Sequence, residues 1–162
     1  VPFSAVTLAA RLVRQRLQDV GLKSIVKTTG GKGLHVIVPL RPAASWPVAK
    51  GFAKAIADGL ARDEPNIFLA KASKAARKGR IYVDYLRNDR GSTAIGAYCV
   101  RARQGLPVAM PIEWRDVKES LQPADYNIDS VEKVALPKEW RDARNWRQGL
   151  DAKKLRAVGM KE

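Results

Sequence analysis

Residues Lys27–Pro39 read K-T-T-G-G-K-G-L-H-V-I-V-P, a pattern that predicts a strand, a glycine-rich turn and a second strand. Three glycines in four positions leave backbone N–H groups open to close approach by an anion. Lys32 adds a mobile positive charge, and His35 can donate a hydrogen bond from a ring nitrogen. The turn therefore suits a phosphate chain, although a glycine-rich hairpin without a ligand explains the same residues. It is not a P-loop, because the G-x-x-x-x-G-K-[ST] spacing is not met.

Composition gives the next constraint. The chain has 162 residues, 46% of them apolar, and a formal net charge of +14. The length and apolar content predict one domain spanning 1–162. The charge favours a polyanionic partner, with nucleic acid ahead of an anionic membrane surface. Much of the excess lies between Lys71 and Arg103, where nine lysines and arginines face only Asp84 and Asp89.

The single cysteine and single histidine limit the chemistry. Cys99 cannot form an internal disulfide, which fits a reducing cytoplasm. Because Cys99 lies among apolar residues, we expect a buried structural thiol rather than a nucleophile. The usual zinc ligand sets are excluded with one residue of each kind. No apolar run approaches the length of a membrane span, and we expect no membrane partner.

Hydrophobic spacing predicts the order of the elements. Helices are expected over 4–20 and from Ser45 onward, with less regular helical patterns at 114–121, 128–136 and 150–158. Strands are expected over 24–27, 34–38, 80–86 and 93–103. Strands mixed with helices in this order predict an α+β fold with a mostly antiparallel sheet flanked by helices.

Asp84 and His35 are the candidate catalytic residues. A carboxylate in the middle of an apolar strand is costly unless it is paired or binds a metal ion. An ion pair with Arg80 or Arg87 is the simpler explanation for Asp84. One carboxylate holds Mg²⁺ poorly, so a metal site would need further carboxylates, and no D-x-D pair on a strand occurs in the sequence. For His35, a satisfied structural histidine is the alternative.

Arg101 and Arg103 form a third candidate group. Their i, i+2 spacing on a predicted strand places both guanidinium groups on one face. Two forked donors side by side fit a triphosphate, while a polar face of an edge strand is the alternative.

These motifs together resemble a known family. The segments T-T-G-G-K-G-L-H-V, R-K-G-R-I-Y-V-D-Y-L-R-N and Y-C-V-R-A-R, followed by P-V-x-x-P-I-E-W, are similar to the primase-type polymerase domain of bacterial DNA ligase D. That domain belongs to the archaeo-eukaryotic primase superfamily, and the resemblance implies its RRM-like palm. It covers nearly the whole chain and is least clear after Trp140.

The resemblance implies a role for each matching position. The turn and histidine would bind the triphosphate of the incoming nucleotide, and Asp84 would be a metal ligand. The arginine pair would contact the triphosphate, and two further arginines would lie near the active site facing template or phosphate. The implied nucleotide-binding positions are Thr29, Lys32, Gly33, His35, Arg101 and Arg103, and the two further arginines are Arg77 and Arg87.

The resemblance also implies what this chain would not supply. The family's D-x-D pair lies just before the helix with which the sequence begins, so we expect the C-terminal part of a polymerase domain whose N-terminal part is missing. The implied activity is template-directed nucleotidyl transfer that fills gaps during double-strand break end joining, with two Mn²⁺ or Mg²⁺ ions. The chain alone would be inactive.

The implied partners are DNA with gaps or broken ends, ribo- or deoxyribonucleoside triphosphates, and possible Ku, ligase and nuclease modules, in the bacterial cytoplasm at the nucleoid. Two other functions stay open from the residues. One is a nucleotide- or nucleic-acid-binding module without chemistry, and the other is a basic interaction domain.

Overall fold

The computed structural model describes residues 1–73 and 75–160. Two long helices and two short ones are found there, together with five short strands. The helices are α1 (Phe3–Asp19), α2 (Trp46–Asp63), α3 (Lys138–Ala143) and α4 (Ala152–Ala157). The strands are β1 (Ile25–Thr28), β2 (Leu34–Ile37), β3 (Phe68–Leu69), β4 (Ile81–Tyr82) and β5 (Pro111–Ile112). Single 3₁₀ turns lie at Ala75–Arg77, Trp114–Asp116 and Val131–Lys133.

The predicted hairpin forms the centre of the fold. β1 and β2 pair antiparallel, with Lys27 opposite His35 and Thr28 opposite Leu34. β5 pairs antiparallel with the other edge of β1, so the sheet order is β2-β1-β5. The glycine turn therefore projects from one end of an antiparallel sheet whose middle strand is buried at every position.

Both long helices form where the apolar spacing predicts them. α2 begins after Ser45, whose hydroxyl accepts a hydrogen bond from the backbone N–H of Val48, and Pro47 occupies its first turn. The two helices pack together through Leu17, Phe52 and Ile56, against Phe68 of β3. A second apolar cluster forms around Val26, Met110 and Trp114, and the half-buried Val36 of β2 packs against both clusters.

Two indole N–H groups fix the middle strand to the C-terminal third of the chain. Trp114 Nε1 donates to the carbonyl of Ser24 at 2.7 Å, and Trp140 Nε1 donates to the carbonyl of Val26 at 3.0 Å. Since buried carbonyls need partners, these bonds anchor the beginning of β1, the end of the strand that lies away from the glycine turn.

Several sequence-based predictions are wrong. The helical patterns expected over 114–121 and 128–136 are single 3₁₀ turns at Trp114–Asp116 and Val131–Lys133. The strand expected over 93–103 is absent, and Val100 there forms one isolated bridge to Val108. The strand expected over 80–86 is limited to Ile81–Tyr82, which pairs parallel with β3. Cys99 is exposed rather than buried. The cause for the two strands is that β-branched and aromatic residues favour a strand only where a neighbouring strand is available to pair with them.

Candidate functional site

The glycine turn is held by its own hydrogen bonds. Thr29 donates its hydroxyl to the carbonyl of Gly33 at 2.9 Å, and the Thr29 backbone N–H donates to the same oxygen at 3.2 Å. Gly30 has a φ of +61°, a conformation that L side chains rarely adopt. The Thr29 hydroxyl therefore stabilises the turn in this structure. Lys32, at the tip of the turn, is exposed.

The arginine pair lies against this turn. A Cβ atom placed on Gly30 would come within 2.6 Å of Arg101 Cγ, and one on Gly31 would lie 3.6 Å from Arg103 Cζ. Both guanidinium-bearing side chains thus pack beside the glycines, as the triphosphate hypothesis requires. The reason differs from the predicted one, because residues 101–106 form a turn and not a strand.

His35 and Asp84 line one cavity of about 580 Å³. Thr29, Gly33 and Arg87 also line it. An interaction domain without a site gives no reason for these residues to share a cavity. Its remaining walls are largely apolar and come from α1, β2 and α2. Asp84 is the one carboxylate among the described residues that line this cavity.

The imidazole of His35 is neutral at physiological pH. Burial is the main cause, and the positive charge of Lys27 is the next; together with Arg87 and Arg101 they outweigh the opposing effect of Asp84. The pKa of His35 falls to about 4. A neutral ring carries one N–H donor and one acceptor nitrogen, so His35 brings directed hydrogen bonding rather than charge to the free site.

Asp84 forms an ion pair with Arg87, which is the simpler explanation for a carboxylate at this position. Its carboxylate lies 3.5 Å from Arg87 Nε and accepts a hydrogen bond from the backbone N–H of Leu86 at 3.1 Å. The same arginine donates to the carbonyl of Thr93 at 2.7 Å. Asp84 and Arg87 expose 43% and 60% of their side chains, so solvent weakens the pair and leaves carboxylate oxygens open to a ligand.

A divalent metal site is not complete in this part of the chain. Among the described residues, no three His, Cys, Asp or Glu side chains come together in a group that could hold an ion. Asp84 supplies one oxygen-bearing side chain, whereas Mg²⁺ and Mn²⁺ at phosphoryl-transfer sites are bound through carboxylates, phosphate and water together. The described residues therefore fit one ligand of such a site and not the whole of it.

Arg77 lies behind the cavity wall. Its guanidinium stacks on the ring of Tyr82 at 4.3 Å, and one of its terminal nitrogens donates to the carbonyl of Ala72 at 3.0 Å. Tyr82 lines the cavity, so Arg77 is connected to the site by its contact with the Tyr82 ring. Lys74, which contributes to the basic stretch in the sequence, lies outside the described residues.

Sequence reasoning gave no role to Lys27, which is buried beside the candidate site opposite His35. It is only 3% exposed, and its Nζ has no hydrogen-bond partner among the described residues. The signal was present in the register, since Lys27 lies directly opposite His35 on the neighbouring strand. Lysine is rarely buried, and the sequence pattern places Lys27 only as the last residue of the strand predicted over 24–27.

The chain is similar to proteins of one family. The model of the LigD primase-polymerase domain matches residues 1–142. The multifunctional non-homologous end joining protein LigD of Pseudomonas aeruginosa is 43% identical over 132 residues, which are 81% of this chain and 16% of that protein. The bifunctional non-homologous end joining protein LigD of Bacillus subtilis is 32% identical over 130 residues, 80% of this chain and 21% of that protein.

A solved structure is similar over most of the chain. The polymerase domain from Mycobacterium tuberculosis Ligase D, in complex with DNA, matches with a TM-score of 0.76 and 30% identity, over 91% of this chain and 48% of that one. These matches confirm the resemblance and the α+β fold class predicted from the motifs. The chain spans about half of that structure and less than a quarter of the two curated relatives.

Proposed function

The chain belongs to the LigD primase-polymerase domain family, and from that premise we propose that it binds the incoming nucleotide in a template-directed nucleotidyl transferase that acts in DNA end joining. One observation supports this most directly. His35 and Asp84 line one cavity together with Thr29 and Gly33 of the glycine turn, and Arg101 and Arg103, which do not line that cavity, pack against the same turn. Anion-binding groups and a carboxylate at one place are what phosphoryl transfer needs.

The turn and the arginines would hold the triphosphate. Backbone N–H groups of the glycines and the Lys32 ammonium would meet phosphate oxygens at the tip of the hairpin. Arg101 and Arg103 would add forked donors from the side, where their planar groups can each take two oxygens. The neutral His35 ring would donate one N–H to the nucleotide, and binding of the anion would raise the pKa of that ring.

The reaction would be an in-line displacement at the α-phosphorus. The 3′-hydroxyl of a primer loses its proton to water and its oxygen forms a new bond to the α-phosphorus. The bond from that phosphorus to the oxygen bridging it to the β-phosphorus breaks, and pyrophosphate leaves with the electron pair. The cations of the turn and of the arginine pair would stabilise the charge that develops on the leaving group. Positioning and electrostatics are thus the expected contributions of this chain.

Asp84 would be one ligand of the Mn²⁺ or Mg²⁺ ions that this chemistry uses. Such ions, when bound, lower the pKa of the attacking hydroxyl and offset phosphate charge. The remaining carboxylates would have to come from outside the described residues. This chain alone is therefore expected to bind nucleotide without extending a primer.

DNA with a gap or a broken end would be the other substrate. The net charge of +14 suits a polyanion, and the similar Mycobacterium structure is a complex with DNA. Arg87, which lines the cavity, would contact phosphate or template, and Arg77 would support it through Tyr82. Ku and ligase or nuclease modules are proposed partners of the parent protein, in the bacterial cytoplasm at the nucleoid. No described helix is both apolar and long enough to pass through a membrane.

Primer extension tests the proposal. The substrate is gapped, 5′-phosphorylated DNA with Mn²⁺ and labelled nucleotides, given to this chain and to a longer protein that includes a D-x-D pair. Each is made with Asp84→Ala and, as a matched control, with Asp89→Ala. Asp89 lies in the same loop but pairs with Lys50 and does not line the cavity.

Extension by the longer protein, lost with Asp84→Ala and retained with Asp89→Ala, is the expected result. Extension by the Asp84→Ala variant of the longer protein would exclude Asp84 as a metal ligand. A second function is favoured by the single carboxylate in the cavity: a nucleotide- or nucleic-acid-binding module without chemistry. Salt-sensitive DNA binding without extension by either protein would support that alternative.

A further inference from the structure

Lys27 is a buried cation without a partner. Its side chain is 3% exposed and its Nζ makes no hydrogen bond to any described residue. The next residue shows what a satisfied polar group looks like in this strand. Thr28 donates its hydroxyl to the carbonyl of Val108 at 2.9 Å and accepts from the N–H of Met110 at 2.8 Å. A buried ammonium that lacks such bonds costs several kcal/mol, so its presence calls for an explanation other than stability.

The groups around Lys27 do not offset its charge. His35 lies opposite it on β2, and Arg101 adds a second positive charge nearby. Burial is the main reason that the pKa of Lys27 is lowered; Arg101 lowers it further, and the Cys99 thiol opposes the shift. No carboxylate contributes to this balance. Among the described residues, Lys27 and Arg101 therefore lie close together with no carboxylate that offsets the charge of Lys27.

We propose that Lys27 is a buried contact of the polyphosphate site. Its ammonium donates a hydrogen bond to a phosphate oxygen beneath the glycine turn, beside Arg101. The inference rests on the proposed function and assigns it a residue that the motif does not. Lys27 precedes Thr29 by two residues, shares a sheet face with His35, and lies near the arginine whose side chain packs on Gly30. An anion that contacts Lys27 would therefore lie close to the positive charge of Arg101 and to the sheet face that carries His35.

The charge of the ligand decides between two phosphate sources. A DNA backbone carries one charge per phosphate and is usually met by exposed lysines and arginines. A triphosphate carries several negative charges on one short chain. It can therefore offset several neighbouring cations at once, including a lysine ammonium that is buried away from water. Arg101 and Arg103 pack on the turn that carries Lys32, and Lys27 lies in the strand that enters it, so this arrangement favours the nucleotide's polyphosphate.

The test compares Lys27→Met with two other lysine variants in the full chain. Lys32→Met removes the exposed charge at the tip of the turn, and Lys118→Met removes an exposed charge away from the site. Each protein is titrated calorimetrically with inorganic tripolyphosphate and with a single-stranded oligonucleotide. The melting temperature without ligand is measured in parallel.

We expect Lys27→Met to bind tripolyphosphate about tenfold more weakly, because a charge-assisted hydrogen bond is lost. The same variant should melt at least about 2 °C higher without ligand, since an unpaired buried charge is replaced by an apolar chain of similar length. A residue with a purely structural role would not produce this opposite pair of effects. Lys118→Met should change neither measurement.

Each other outcome overturns the inference in a distinct way. Wild-type binding with unchanged affinity in Lys27→Met would exclude Lys27 from the site and leave the proposed function standing. A lower melting temperature in Lys27→Met would show that the ammonium has a stabilising partner within the protein. Loss of oligonucleotide binding alone would assign the phosphate to DNA. Absence of tripolyphosphate binding by the wild type would refute the nucleotide site itself.

Discussion

Two halves of the candidate site are built in different ways. The sheet half comes from the β1–β2 hairpin and is formed by Lys27, Thr29 and His35. The loop half comes from segments without regular strand pairing and is formed by Asp84, Arg87, Arg101 and Arg103. The sheet half is buried or half-buried, with its backbone paired on both sides of β1. In the loop half, three of the four residues are exposed.

The difference shows where the geometry of the site is fixed. A paired strand holds its side chains whether or not a ligand is present, and it can keep an unfavourable group such as Lys27 in place. Exposed loop residues are held by a few weak contacts and gain order from the ligand or from neighbouring protein. Changes in the sheet half should therefore affect stability strongly, and changes in the loop half should affect mainly binding and activity.

The largest effect is expected where the two halves touch. Gly30→Ala would place a Cβ 2.6 Å from Arg101 Cγ and 3.0 Å from the backbone oxygen of Pro107. The arginine could move, but the backbone cannot do so without disturbing the sheet. Together with a φ of +61°, this should lower the free energy of unfolding by about 3 kcal/mol. Urea denaturation measures it.

Gly105→Ala is the matched control for Gly30→Ala. Gly105 also has a positive φ, +78°, but a Cβ there would meet nothing within 4 Å. Backbone strain alone should cost about 1 kcal/mol. Equal losses of unfolding free energy at the two glycines would show that the segment carrying Arg101 does not pack closely on the turn. The two halves of the site would then not be in contact at Gly30.

The second prediction concerns the pH dependence of the sheet half. The pKa of His35 is lowered to about 4 in the folded chain, so between pH 6.5 and 4 the unfolded chain binds more protons than the folded one. The unfolding free energy should thus fall as the pH falls through this range. A shift of this size, partly screened by solvent, should contribute about 2 kcal/mol.

The His35→Gln variant identifies the source of that pH dependence. Glutamine keeps polar hydrogen-bonding atoms but does not titrate. The part of the change of unfolding free energy with pH that is due to His35 should therefore disappear. Carboxylates that titrate in the same range remain in both proteins and cancel in the comparison. An unchanged slope between pH 6.5 and 4 would mean that His35 has an ordinary pKa and is solvated in the folded protein.

The sheet half was also the more predictable half. The glycine turn, β2 and both long helices follow from local periodicity and capping, for which a short window of sequence suffices. The placement of Thr29, Gly33 and His35 comes with the hairpin. The burial of Lys27 did not follow, because it depends on β5, a strand that lies more than eighty residues further along the chain.

The loop half could be located only through its chemistry. Apolar and aromatic residues around Val100 suggest a strand over 93–103, but backbone pairing there is confined to the bridge between Val100 and Val108 and to hydrogen bonds between residues 98–101 and 107–109. Arg101 and Arg103 nevertheless reach the turn, because the segment from 101 to 106 folds back onto Pro107, next to β5. Such a position depends on tertiary packing, and spacing in the sequence carries no signal for it.

A third, smaller effect is expected from the hydroxyl that closes the turn. Thr29→Val removes the hydrogen bond to the Gly33 carbonyl at 2.9 Å while keeping the shape of the side chain. The unfolding free energy should fall by about 1 kcal/mol. Thr29→Ser keeps the hydroxyl and should lose clearly less. If valine and serine behave alike in urea denaturation, the hydroxyl does not stabilise the turn.

The smallest stability effect is expected for the ion pair of the loop half. Asp84 and Arg87 are 3.5 Å apart and both largely exposed, so a double-mutant cycle with Asp84→Asn and Arg87→Gln should give a coupling below about 0.5 kcal/mol. A coupling well above that would make the pair structural and would weaken the contrast between the two halves. The expected low value has the opposite meaning. A carboxylate that contributes little to stability and lines the same cavity as His35 is what the proposed role of Asp84 as a metal ligand requires.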